Sequence, residues 1–180
     1  MAFYINTLKQ NSSQEIARLL EKCVRRHRKP WSEMVFLCIG RDRVTGDCLG
    51  PYVGYRLSQH PLPGISIYGT LEHPVHAVNL KNALSHISQA HPYALVVAID
   101  ASLGEKKHLG YVTMGNGPLY PGAAVQKELP PVGDIYITGI VNISGILEYL
   151  TLQTTRLSTV ISLADTIVQG ILGSFPGKFI

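Results

Sequence analysis

The sequence predicts an open α/β sheet, mostly parallel, with helices on both faces. Three observations predict it. Short apolar runs closed by glycine or a polar residue recur, as in "MVFLCIG" (34–40) and "YALVVAID" (93–100). Such runs mark strands buried on both faces. Segments with helical spacing of apolar residues alternate with them. Hydrophobic residues make up 46% of the chain and charged residues only 16%, so there is ample material to cover a sheet from two sides. The 180 residues fit one α/β domain over 1–180, with no internal repeat or low-complexity segment.

The elements follow in order. "NSSQEIARLLEKCVRRHRKP" reads as a helix over about 12–28. Ser12 and Glu15 fit a capping box, Ile16, Leu19, Leu20 and Cys23 share a face, and Pro30 stops the helix. The run 34–40 is the first strand. After a polar loop, 49–59 can form a helix with Pro51 tolerated in its first turn. "GISIYGT" (64–70) is the second strand. Residues 75–90 read as a helix with Val78, Leu80, Leu84 and Ile87 as its core face. The run 93–100 is the third strand and ends on Asp100. "LGYVTMG" (109–115) is the fourth. It follows too closely for a crossover helix and is expected to be antiparallel, or reached by an unusual path. "DIYITGIV" (134–141) is the fifth, and helices follow around 144–152 and 157–172. The piece 116–133 has no regular pattern, and a loop of that length in a compact domain is usually functional or flexible.

Composition excludes several function classes. The net charge is +4 with a pI near 9.0. Much of that charge sits in "RRHRKP" (25–30), which fits a solvated helix C-terminus as well as a phosphate contact. No nucleic-acid partner is expected. Cys23, Cys38 and Cys48 show neither metal-type pairing nor a disulfide framework. With no signal peptide at the start, a reducing cytoplasm is expected. No apolar run reaches the roughly 18 residues of a membrane span. The tract 157–175 is broken at helical spacing by Ser158, Thr159, Ser162, Asp165, Thr166 and Gln169, so it reads as an amphipathic helix. Gly40, Gly46 and Gly50 make no GxGxxG or P-loop, and no serine stands in a GxSxG context.

Ligands of open α/β sheets bind beyond the carboxyl ends of the strands. The first strand delivers Arg41, Asp42, Thr45 and Asp47 there, the second delivers His73 and His76, and the third delivers Asp100. If the first and third strands are neighbours, Asp47 and Asp100 face each other. Two close carboxylates cannot easily both ionise, so one can serve as general base and the other as general acid. They can also bind a divalent metal with a histidine as third ligand. Simpler roles exist. Asp47 can cap the helix that follows it, Asp100 can cap the "ASLG" turn, and both histidines can be loop residues. Cys48 is a possible nucleophile without a histidine beside it in sequence.

Four segments carry a family resemblance: "LCIGRDRVTGDCLGPYVGYRL", "YGTLEHPVHAVNL", "VVAIDASLG" and "GPLYPGAAVQKELPPVGDIYITGIVN". In this order, over about 34–152, they resemble the YyaC-like sporulation proteins. These are similar, more distantly, to the germination protease that degrades small acid-soluble spore proteins. That protease has a "DALGP" where this chain has "DCLGP", and its two catalytic aspartates would fall on Asp47 and Asp100. Both groups resemble the hydrogenase maturation proteases. That resemblance implies a three-layer α/β/α sandwich with a mostly parallel twisted sheet. The maturation proteases bind the nickel of their substrate through a Glu, an Asp and a His. Asp47 and Asp100 match the first two, but "YPGAAVQK" (120–127) contains no histidine. The two-aspartate pattern is favoured, and no metal or cofactor is expected.

The resemblance thus implies an aspartate-dependent endopeptidase of spore formation, with Asp47 and Asp100 catalytic. Arg41, Asp42, Thr45, Gly46, His76, Pro121 and Gly122 would bind the substrate, with Gly46 letting the backbone approach it closely. Arg41 and Arg43 would hold a substrate carboxylate or carbonyl, or pair with Asp42. The alternative is a catalytically inactive peptide-binding or scaffold protein on the same fold. The expected partner is a protein or peptide, with a homo-oligomer left open and no membrane contact.

Overall fold

The computed structural model describes residues 2–122 and 129–175. The elements run β1 (Phe3–Asn6), α1 (Ser12–Arg26), β2 (Glu33–Cys38), a 3-10 turn (Thr45–Cys48), α2 (Leu49–Ser58), β3 (Ile65–Tyr68) and α3 (Leu80–Ala90). Then come β4 (Ala94–Gly104), a 3-10 turn (Lys106–His108), β5 (Tyr111–Asn116), β6 (Ile135–Ile143), α4 (Glu148–Gln153) and α5 (Leu157–Gly173). The six strands lie in the order β1-β5-β6-β4-β2-β3. The pairs β3–β2, β2–β4 and β4–β6 are parallel, whereas β6–β5 and β5–β1 are antiparallel.

The continuous apolar runs have a direct cause: both faces of the central strands are covered. Met34, Phe36 and Cys38 of β2, with Leu95, Val97 and Ile99 of β4, face α1, α2 and α5. Ile16 and Leu20, Val53 and Leu57, and Val160, Leu163 and Ile167 meet them there. The alternate residues Val35 and Leu37 of β2, and Ala98 of β4, face Leu80 and Ile87 of α3. The result is the expected layered α/β/α arrangement. The polar residues in 157–175 leave an apolar stripe on α5, and that stripe is what docks.

The structure departs from expectation in six places. Strand β1 carries no sequence signal, because only Ile5 of its four residues is fully buried. The capping box does not form. Asn11 takes the cap position without a side-chain bond, and Ser12 is turned inward and donates to the Thr7 carbonyl at 3.4 Å. The Ser12–Glu15 frame is therefore one residue out of step. Helix α1 ends at Arg26, where His27 turns extended towards β2, so Arg25 and Arg26 occupy its last turn.

Helix α3 starts at Leu80 rather than Val75, and Val78 is 79% exposed rather than buried. Val75 instead bridges to Ile39, continuing the sheet. The turn after it is held by His76 N–H to Asn79 Oδ1 at 2.8 Å and by Asn79 Nδ2 to the Pro74 carbonyl at 3.0 Å. Strand β4 runs on past Asp100 to Gly104, because β6 pairs it to that point. Finally, β5 is antiparallel as expected but does not lie beside β4, since β6 inserts between them. Of the irregular piece, Leu119 and Val132 form an isolated antiparallel bridge, and 123–128 lie outside the described residues.

Candidate functional site

The site is built by the way β2 ends. The Ile39 N–H donates to the Ile99 carbonyl at 2.7 Å, and the Gly40 N–H then donates to the Val75 carbonyl at 2.8 Å. The chain thus leaves β4 at this point. Gly40 has φ +145°, and a Cβ there would lie 1.9 Å from the Asp47 carbonyl oxygen. Only glycine permits both the angle and the contact. The loop then returns through the 3-10 turn, which sets Asp47 over the end of β2. Its Oδ2 accepts the Arg41 N–H at 3.1 Å, closing the loop on itself.

Because β2 and β4 are neighbours, Asp47 and Asp100 line one cleft. The cleft holds about 610 Å³ of empty space, part of it open to solvent. Asp100 is 7% exposed, and its Oδ1 accepts the N–H of Ala101 at 2.8 Å. Burial, reinforced by the negative charge of Asp47, holds the Asp100 carboxyl well above the usual carboxylate range. Burial raises Asp47 too, but the Arg41 charge, the Arg41 N–H and His76 all oppose it. The two environments therefore differ. Asp100 is the better proton holder and Asp47 the better anion.

The other expected residues divide. Arg41, His76, Pro121 and Gly122 line the cleft with the two aspartates. The His76 Nδ1 accepts the Val78 N–H at 3.3 Å, so a neutral ring carries its proton on Nε2. Asp42 is exposed and Thr45 half-buried, and neither lines the cleft. Among the described residues Asp42 makes no ion pair with Arg41 or Arg43.

Gly46 is buried under α4, where a Cβ would meet the Leu152 carbonyl oxygen and Thr155 Oγ1, each at 2.8 Å. Its glycine serves helix packing, which replaces the expectation of a close substrate approach. Asp47 does not cap α2 either. That position belongs to Cys48, with no side-chain bond. Nor does Asp100 cap a turn, since it lies inside β4. His73 sits in an exposed loop, its N–H donating to Thr70 Oγ1 at 3.2 Å. The Cys48 thiol lies off the cleft. Burial, then Asp42 and Asp47, push it up, away from a reactive thiolate. Among the described residues no group of three or more His, Cys, Asp or Glu could hold a metal ion.

Several cleft residues escape the sequence reading. Ser102 lies two residues beyond Asp100 on the same strand face. Its Oγ donates to Thr138 Oγ1 at 3.2 Å, and Thr138 in turn meets Thr113 Oγ1 at 2.6 Å. Extending the strand to Gly104 would have found it. Tyr149 and Leu152 of α4 form an apolar wall, and no local signal places that helix at this cleft.

Comparison with known proteins bears on the family and the fold. A family model described as "Protein of unknown function (DUF1256)" matches residues 4–170. The chain is 45% identical over 169 residues to "Uncharacterized protein YyaC" of Bacillus subtilis (strain 168), covering 93% of this chain and 81% of that protein. Among solved structures it is similar to a [NiFe] hydrogenase maturation protease, HycI, from Thermococcus kodakarensis KOD1. The TM-score is 0.51 and the identity 17%, over 86% of this chain and 99% of that one. A second, described as the Hydrogenase 3 Maturation protease, matches with TM-score 0.51 and 14% identity, over 76% and 87%. At these identities the likeness concerns the fold.

Proposed function

The chain belongs to the family described as "Protein of unknown function (DUF1256)", and from that footing we propose that it is an aspartate-dependent endopeptidase of spore formation. The observation that carries the reading is the pair Asp47 and Asp100 lining one cleft in unequal environments. Ionised Asp47 takes a proton from water as the water oxygen attacks the amide carbon. Protonated Asp100 gives its proton to the leaving nitrogen as the C–N bond breaks. Arg41, through its backbone N–H and its charge, opposes the rise that burial imposes on Asp47 and so favours its ionised form. The maturation-protease fold is consistent with peptide chemistry, and the sporulation role rests on the sequence resemblance.

A second reading has its own observation. Asp100 is 7% exposed and already bonded to the Ala101 N–H, as a carboxylate with a purely structural role would be. On that reading the protein binds peptides and does not cut them. The test is cleavage of unstructured peptides, including spore-protein peptides, by the unaltered chain and by Asp47→Asn. Loss of one acid–base partner lowers the rate about 100-fold or more. Equal cleavage by Asp47→Asn removes Asp47 from the chemistry. No cleavage by the unaltered chain across a broad peptide set selects the second reading.

A further inference from the structure

The ladder between β2 and β4 stops at Cys38 and Ile99, followed by one last bond from the Ile39 N–H to the Ile99 carbonyl. Strand β4 continues for five residues to Gly104, paired with β6 on its other side. Beyond Ile99, among the described residues, no strand pairs with β4 on the β2 side.

The direction of each main-chain group can be fixed. The Ile99 carbonyl points to β2, since it accepts from Ile39. The Val96 carbonyl accepts the Asp134 N–H at 2.7 Å, and the Gly104 carbonyl accepts the Ser144 N–H at 2.9 Å. Both therefore point to the β6 side. Strand alternation then turns the N–H and C=O of Ala101 and Leu103 towards the lane that β2 has left. One of these groups carries a local substitute: the Ala101 N–H donates to the side-chain carboxyl of Asp100, the preceding residue. A ladder donor satisfied by its own neighbour is what a vacated strand position leaves behind.

We propose that the vacated side of β4 at Ala101 and Leu103 takes an extended segment of a protein substrate as an added strand, in the lane that β2 leaves. The proposal rests on the peptidase reading for its ligand. Main-chain bonds provide the affinity, as in other cases of strand addition. Leu103, Tyr149 and Leu152 line the same cleft, so an apolar side chain of the segment is favoured beside them. When a peptide carbonyl takes over the Ala101 N–H, the Asp100 carboxyl is released from that bond, next to the backbone it would protonate.

The experiment uses the full chain and acetylated decapeptides, random except for a central leucine. Two further sets carry N-methyl groups on alternate amides, one set on odd and one on even positions. Cleavage is read by mass spectrometry, and binding by the amide exchange rates of Ala101 and Leu103. A strand added to β4 presents only alternate amides to it. The parent peptides should slow exchange at Leu103, and the two methylated sets should differ in affinity by roughly 10-fold. Leu103→Pro, which removes the donor on the vacated side, should weaken the parent peptides by a similar factor.

Cleavage with equal behaviour of the two methylated sets and unchanged Leu103 exchange overturns strand addition and leaves the peptidase reading standing. Protection of Leu103 with unequal sets but no cleavage supports strand addition and overturns the peptidase reading. Neither binding nor cleavage overturns both. If Leu103→Pro fails to fold, the methylated sets decide the matter on the unaltered chain.

Discussion

Three glycine-to-alanine changes separate the forces that hold Asp47 in place. Gly117 has φ +115° and nothing within 4 Å of a built Cβ. Gly117→Ala therefore reports backbone strain alone, about 1–2 kcal/mol. Gly46 meets the Leu152 carbonyl oxygen and Thr155 Oγ1 at 2.8 Å. Gly46→Ala reports crowding, about 1–3 kcal/mol. Gly40 combines φ +145° with a contact of 1.9 Å to the Asp47 carbonyl oxygen, a backbone atom that cannot swing aside as a side chain can. Gly40→Ala should cost at least the sum of the two mechanisms, about 3 kcal/mol or more. For a chain of this length that lowers Tm by roughly 6–12 °C. Urea unfolding gives the free energies, with unchanged m values as the check that only stability moved. If Gly40→Ala is no more destabilising than Gly117→Ala, the close approach of Gly40 to Asp47 is not what seats the loop.

Other expectations follow from the ionisable groups. Asp100 has a raised folded-state pKa. Its contribution is present in full below the unfolded value of about 3.9 and is lost as pH rises through the folded value. Asp100→Asn should flatten this decline and leave the chain more stable than the unaltered protein at neutral pH. Urea midpoints between pH 4 and 8 would show it, and a variant that keeps the unaltered slope would remove Asp100 as its source. The three cysteines are buried, and burial is the first cause raising each thiol. All three should resist iodoacetamide at pH 7 until the chain is unfolded, and rapid alkylation of Cys48 in the folded protein would contradict its placement.

The central strands were legible because burial on both faces leaves an unbroken apolar run. That same rule fails at a margin. β1 buries one side chain fully and, among the described residues, pairs with β5 alone, so nothing in "FYIN" announces it. The end of β4 was misplaced for a tertiary reason. "ASLG" has the composition of a turn, yet β6, whose partner residues lie 38–39 positions later, holds it extended. Asp47 and Asp100 could be brought together on paper because neighbouring parallel strands deliver their C-terminal residues to one edge. Gly46 could not be understood that way, since the helix that crowds it lies about 100 residues downstream. Tyr149 and Leu152 belong to the same distant helix, and they reach the cleft by tertiary packing alone.

The position of β6 also bears on how the chain assembles during synthesis. β3–β2–β4 on one side and β5–β1 on the other share no ladder until β6 supplies both. Helix α1, made early, packs against α5, made more than 130 residues later. A ribosome that has released 1–134 has therefore delivered two unjoined pieces of sheet, each with a bare edge, and a helix without its partner. Closure is a late event governed by contacts distant in sequence, a regime of slow folding and exposed edges. Nascent chains stalled before residue 135 should remain open to protease, and those stalled with α5 clear of the exit tunnel should be resistant. Protection at the earlier stall would mean that the two pieces find each other without the strand between them.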